Sequence, residues 1–462
     1  MAADVRGRTE MRGGMRMSKL SDRAEHYRSE MQEALDYIWK HPETGYQEWQ
    51  THAYLADAFR KLGYDLVEAG DIPGFYADLD TGRPGPCLLI MGELDALNCP
   101  NHPDNTNGKA HACGHCAQTT ALLGVAGALK EEGALDGLSG KIRLMAVPAE
   151  ELIEIAWRDE IRKEGKIHYF GGKPEFMRRG MMDGVDMAMM IHTTSNKPEH
   201  YGGIGKGSNG MVAFTATFEG VASHAGGSPD KGVNALYAAN QALSAINAIR
   251  ETFRDSDHIR VHPIIDIGGN SVNIIPDKVV IESYVRGATM EAILDANRKV
   301  DRAMAGAAAS IGAKLNISTR PGYYIRMNDT GMALAMKEAM EEILTTVHYD
   351  MNEWGTGCSD IGDLGAVMPT VHPHISGAVG HGHGDDYYIT SFESACMDSA
   401  KVQLVFTELL LGNGAARAKE IVANYKPDFA TMQDYFDFMD GLISDKEAVR
   451  YNEDGTVTLD FA

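Results

Sequence analysis

The spacing of apolar and polar positions divides the chain into helical and strand-like stretches. Residues 23–40 place Met31, Leu35 and Ile38 on one helical face, with Tyr37 beside it. The turn His41-Pro42-Glu43-Thr44-Gly45 breaks that pattern. Residues 49–62 predict a second helix, stopped by Gly63. Residues 75–79 and 86–92 read as strands, the second apolar enough to be buried on both faces. Residues 141–147 and 185–191 are further apolar strands, and residues 120–129 form an apolar helical run. From 211 the order becomes strand (211–218), helix (233–249), strand (261–267), strand (278–285), helix (290–311) and strand (313–318). Two more helices, 330–346 and 390–411, enclose the loops of 360–383.

Several buried strands run into residues that can do chemistry. The strand at 86–92 leads into Gly92-Glu93-Leu94-Asp95-Ala96-Leu97. The strand at 141–147 leads into Pro148-Ala149-Glu150-Glu151, and the strand at 185–191 ends in His192. Carboxyl ends of strands are where open α/β sheets build their sites. Adjacent carboxylates such as Glu150 and Glu151 point in different directions, so one can hold a metal while the other handles protons.

The stretch that organises the rest is His111-Ala112-Cys113-Gly114-His115-Cys116-Ala117-Gln118. Soft and borderline metal ligands crowd four residues, and Gly114 lets the backbone turn tightly between them. The positive end of the following helix favours a thiolate at Cys113. Two other readings compete. Cys113 and Cys116 form a C-x-x-C of redox type, but they lie far along a long chain. A structural zinc ribbon needs a second pair, which the sequence lacks. A metal site completed by distant residues fits best. His41, beside a proline in a turn, reads as structural.

Composition narrows the function. The chain has 462 residues, enough for two domains, with 44% apolar and 23% charged residues. A formal net charge of −22 argues against nucleic acid and anionic membrane surfaces as partners. No apolar run approaches the ~20 residues that span a bilayer. Six irregularly spaced cysteines do not form a disulfide framework, so a reducing cytoplasm is expected. Residues 1–20 read as a disordered arm or the product of an early start codon.

Together, His41-Pro42-Glu43-Thr44-Gly45 with Glu48, the Glu93/Asp95 segment, the Cys113/His115 loop, the Glu150-Glu151 pair and His192 occur in an order that resembles the M20 metallopeptidase and amidohydrolase family. The aminobenzoyl-glutamate hydrolase and N-acyl amino acid amidohydrolase branch is the most similar. The resemblance continues through Gly220-Val221-Ala222-Ser223-His224-Ala225, Gly268-Gly269, Asn273-Ile274-Ile275-Pro276-Asp277 and Arg286, covering roughly 25–411. It implies Cys113, His115, Glu151, His192 and a late histidine as metal ligands, and Glu150 as general base. Among His372, His374, His381 and His383 it favours His383, with His381 as runner-up. Asp95 would support a ligand from behind. Asn273 and Arg286 would hold a substrate carboxylate or the developing oxyanion. His224 would act as a catalytic oxyanion donor in the partner's site of a homodimer. Cys116, Gln118 and about 20 extra residues at 152–172 depart from the family pattern and put the substrate in question.

The expected architecture is α/β. A catalytic metal-binding domain (21–206 and 321–411) has a mixed central sheet flanked by helices. An inserted α+β sandwich, the dimerisation or lid domain, occupies 207–320, and a C-terminal tail occupies 412–462. The expected reaction is hydrolysis of the amide bond of an N-acyl or N-aroyl amino acid, such as an aminobenzoyl-glutamate-like compound. One or two divalent ions, Zn or Mn, would activate water, and Glu150 would take its proton. The expected partner is a small carboxylate-bearing substrate. The alternatives are a hydrolytic deaminase of an activated aromatic amino acid, such as a substituted aminobenzoate, and a binding protein that has lost catalysis.

Overall fold

The computed structural model describes residues 19–461. The arm read over 1–20 therefore lies outside the described residues, apart from its last two positions. Three sheets hold nearly all the strands. The first has strand order Val67–Glu68, Phe75–Asp80, Lys141–Val147, Cys87–Glu93, Met187–Met189 and Thr370–Val371. Its centre is parallel: Cys87–Glu93 runs between Lys141–Val147 and Met187–Met189, whereas Phe75–Asp80 is antiparallel to Lys141–Val147. Every residue of Cys87–Glu93 is buried, as its unbroken apolar run requires.

Helices cover this sheet. His115–Lys130 is buried along nearly its whole length and packs with Arg28–Lys40 and Ser399–Leu411 in one apolar core. Such burial all round follows from its nearly uniform apolar sequence. A second core on the sheet's other side holds Leu89, Met91, Met145, Phe176 and Tyr435.

The second sheet is antiparallel and seven-stranded. Gly210–Glu219 lies at its middle between Lys278–Gly287 and Lys314–Pro321. Helices Ala235–Ile249 and Met290–Ile311 pack on it through an alanine-rich apolar face. The mixed α/β fold with an inserted α+β layer is the one expected from the pattern. Among the described residues no helix is long and apolar enough to cross a membrane.

Several elements differ from the expectation: the strand read over 261–267 is two short strands, Arg260–Val261 and Ile264–Ile267, the helix read over 330–346 ends at Ile343, and the strands Tyr201–Ser208 and Thr346–Gly355 were not read. The strand read over 185–191 stops at Met189, and His192 opens a new strand, His192–Ser195, in a third sheet. Met190 and Ile191 stay buried through that crossing, so the apolar run hides the switch. The helix read from 390 begins with a π-helical turn, Glu393–Asp398, before the α-helix Ser399–Leu411. The segment read as a tail is folded. Helix Met432–Asp440 starts with a Thr431/Asp434 capping box, and strand Ser444–Tyr451 adds to Lys314–Pro321 in the second sheet.

Candidate metal centre

Each chemical side chain of the site sits where an element ends. Gly114 takes φ 98° as the N-cap of helix His115–Lys130, and a Cβ there would collide with the Thr193 and Tyr387 hydroxyls. Only glycine fits, and the turn puts Cys113 and His115 at the mouth of the helix. Ala149 (φ 57°) and His383 (φ 65°) hold left-handed backbone conformations immediately before Glu150 and at the late histidine. Such strained positions persist only where surrounding structure enforces them. Here Glu48 Oε1 accepts from the Ala149 N–H at 2.8 Å, and the Ala112 carbonyl accepts from the His383 N–H at 2.8 Å.

Cys113 Sγ lies 3.3 Å from His192 Nε2, and His383 Nε2 lies 3.1 Å from Glu151 Oε1. His115 Nε2 is 3.2 Å from Glu93 Oε2 and 3.9 Å from Glu150 Oε2. The five sequence-predicted ligands thus come together. His381 does not join them: it is exposed and pairs with Asp386 at 2.8 Å.

The tautomers suit a cation. His115 Nδ1 donates toward Asp95, 3.0 Å from both its carbonyl and its Oδ1, and His192 Nδ1 donates to the Thr193 carbonyl at 2.7 Å. Both Nε2 atoms are thereby left with a lone pair to offer. Among the described residues, His115 Nε2, Glu93 Oε2 and Glu151 Oε1 are buried without hydrogen-bond partners. Ligand atoms of Cys113, His115 and His192, of Cys113, Glu151 and His383, and of Glu93, His115 and Glu150 each fall within 4.8 Å of one another. Unpartnered buried imidazole and carboxylate atoms beside a cysteine sulfur fit a divalent metal.

The electrostatics agree. Burial and Glu151 raise the Cys113 thiol, but His115 and His192 outweigh them and bring it down to about 6. Burial raises Glu151, yet His383 and His115 hold it at about 2. Glu150 goes the other way: burial, Glu93 and Glu151 push it well above the usual carboxylate range. The two adjacent carboxyls are therefore electrostatically distinct, as a division between ligand and proton carrier requires.

Cys113, Glu150, Glu151, His192 and His383 line one cavity of about 370 Å³, with Arg286 also in its wall. Asn273 and His224 are not in that lining. They lie on the inserted layer, exposed, where the Gly226 and Gly227 N–H groups donate to His224 Nδ1 at 3.2 and 2.8 Å. Cys116 packs into the helical core, and burial pushes its thiol up to about 12, which argues against a redox pair. His41 bonds the Tyr37 carbonyl at 2.6 Å and stacks on the Tyr37 ring, a structural role.

Sequence reasoning missed several neighbours. Lys173, fully buried, reaches Glu93 Oε1 at 2.5 Å and also pairs with Asp360. Arg158, from the extra segment, donates to the carbonyls of Glu151 and Phe170, and the Tyr323 hydroxyl donates to the Glu150 carbonyl. A buried Lys or Arg carries no periodic signal, and only Arg158 had a hint, the position of 152–172 directly after the Glu pair.

The profile of peptidase family M20/M25/M40 matches residues 89–407. The chain is 29% identical over 329 residues to the indole-3-acetyl-aspartic acid hydrolase of Enterobacter agglomerans, covering 60% of this chain and 70% of that protein. It is 30% identical over 266 residues to a p-aminobenzoyl-glutamate hydrolase subunit of Escherichia coli K12, covering 54% of this chain and 55% of that protein. Among solved structures, a dinuclear metal-binding peptidase of family M20 from Bacillus subtilis superposes with TM-score 0.61 at 20% identity, covering 84% of this chain and 99% of that one.

Proposed function

The chain belongs to peptidase family M20/M25/M40 and is a metal-dependent hydrolase, and on that premise we propose that it cleaves the amide bond of an N-acyl or N-aroyl amino acid. Cys113, His115, Glu151, His192 and His383 hold one or two divalent ions, Zn or Mn. When bound, the metal supplies Lewis acidity, polarising a carbonyl and lowering the pKa of water. Glu150, raised by burial and its carboxylate neighbours, is poised to accept a proton and return it to the leaving amine. Asp95 orients His115 through Nδ1, and Lys173 balances the charge of Glu93. Arg286 binds a substrate carboxylate from the cavity wall. His224 and Asn273, exposed on the inserted layer, serve the partner's cavity in a homodimer. The six cysteines, all free, suit a reducing cytoplasm.

The observation that carries this reading is that Glu150 and four of the five ligands open onto one cavity while differing sharply in proton affinity. Mass analysis of products from a panel of N-aroyl amino acids and aminobenzoates tests it. Release of a free amino acid and its acid partner is expected. Ammonia from aminobenzoates with intact aroyl amino acids would replace this reading with the deaminase.

A further inference from the structure

Part of the cavity lining is cationic, and although Glu150 and Glu151 line the same cavity, neither guanidinium there forms an ion pair among the described residues. Arg326 is 7% exposed, yet no carboxylate pairs with it among the described residues. Its Nε donates to Ser208 Oγ at 2.9 Å, and its Nη1 donates to His372 Nδ1 at 2.7 Å and to the His372 carbonyl at 2.9 Å. Nη2 makes no hydrogen bond within the described protein. A buried guanidinium without an anion is costly, so such a group is kept where a ligand supplies the charge.

His372 points to the same ligand. Its Nδ1 accepts from Arg326, so its ring proton sits on Nε2, and that Nε2 is buried without a partner. Arg326 and His372 both line the cavity, as does Arg286, whose Nε is likewise buried and unpartnered. Two guanidiniums that no carboxylate engages directly and one imidazole N–H in a single cavity match a ligand that brings two carboxylates.

We propose that Arg326 and His372 form a carboxylate subsite which, with Arg286, selects substrates whose amine portion is a dicarboxylic amino acid. This rests on the amide-hydrolase reading for its substrate class. The subsite itself needs only an anion in the cavity. Arg326 contributes Nη2 and His372 contributes Nε2–H, and Ser208 holds the guanidinium in place through Nε.

The test uses the metal-loaded full-length enzyme and two probes that cannot be hydrolysed as acyl amino acids: glutarate and its near-isosteric monoamide. Calorimetry should find glutarate bound roughly 10–100-fold more tightly, the range expected for one charge-assisted contact. Arg326→Gln should erase that preference, Arg326→Lys should keep part of it, and His372→Gln should reduce it. Equal binding of the two probes by the wild-type enzyme would overturn the proposal without any variant, as would an unchanged preference in folded Arg326→Gln. Hydrolysis of N-acetyl-glutamate and N-acetyl-glutamine at equal kcat/KM would also overturn it while leaving the hydrolase reading intact. An Arg326-dependent glutarate preference in an enzyme that cleaves no acyl amino acid would uphold the subsite and remove the hydrolase reading instead.

Discussion

Asp95 grips the metal site at two points that lie far apart in sequence. Its Oδ1 lies 3.0 Å from His115 Nδ1, and its Oδ2 accepts from the Glu151 N–H at 2.7 Å. One buried carboxylate thus orients two candidate ligands, one at a helix N-terminus and one just past a strand end. Asp95→Asn should weaken metal binding by roughly 10–100-fold. Chelator competition reads this directly, and unchanged affinity would show that the ligands are oriented by other contacts.

Activity should vanish after chelation and return with Zn²⁺ or Mn²⁺, because the cavity presents no other Lewis acid. Elemental analysis alongside the assay decides it. Full turnover by verified metal-free enzyme would contradict the assignment.

The paired glutamates should separate cleanly. Glu150→Gln should keep its metal and lose roughly 10²–10⁴-fold in kcat. Glu151→Gln should lose metal affinity, since its Oε1 faces His383 within the ligand cluster. If both variants retain metal and rate, the proton carrier lies elsewhere.

His224 is held by the Gly226 and Gly227 amides through Nδ1, leaving its Nε2 proton free to donate outward. His224→Ala should bind metal normally and turn over roughly 10²–10³-fold more slowly. Mixing it with Glu150→Gln should restore activity through heterodimers. A monomer in solution, or no rescue after proven subunit exchange, rules out a role across the dimer.

Asp159 ties the extra segment to the inserted layer. Its Oδ1 accepts from Arg320 Nε at 2.8 Å, and Arg320 also donates to Asp445 at 2.8 Å. Burial raises the Asp159 carboxyl, but Arg320, Lys163 and Arg162 outweigh it and hold it well below the usual range. A depressed folded pKa stabilises the protein fully above the unfolded value of about 3.9, and that stabilisation is lost progressively as pH falls from there through the lower folded value. Asp159→Asn should therefore cost roughly 1–3 kcal/mol near neutral pH. The gap from wild type should begin to narrow below about pH 4 and shrink further with each step into acid. Urea unfolding across pH measures it, and a gap that widens in acid would contradict the assignment.

The sequence by itself determined most of the elements and marked the positions of the candidate ligands. Lys141–Val147 and Met290–Ile311 fall where periodicity puts them, because apolar spacing is a local property of the chain. Cys113, His115, Glu150 and Glu151 were legible because helix and strand ends are marked by glycine and by breaks in apolar runs. Choosing His383 over His381 rested on a resemblance; in the structure His383 reaches Glu151, while Asp386 engages His381. Only the tertiary structure decided that His192 begins a strand in a third sheet, since a chain buried on both sides of the crossing keeps the same apolar pattern. Only it placed Ser444–Tyr451 against Lys314–Pro321, a pairing between segments more than a hundred residues apart. The contacts of Lys173 with Glu93 and of Arg326 with His372 were invisible for the same reason. A buried charge is tolerated by partners that folding brings together, and neighbours in sequence carry no trace of them.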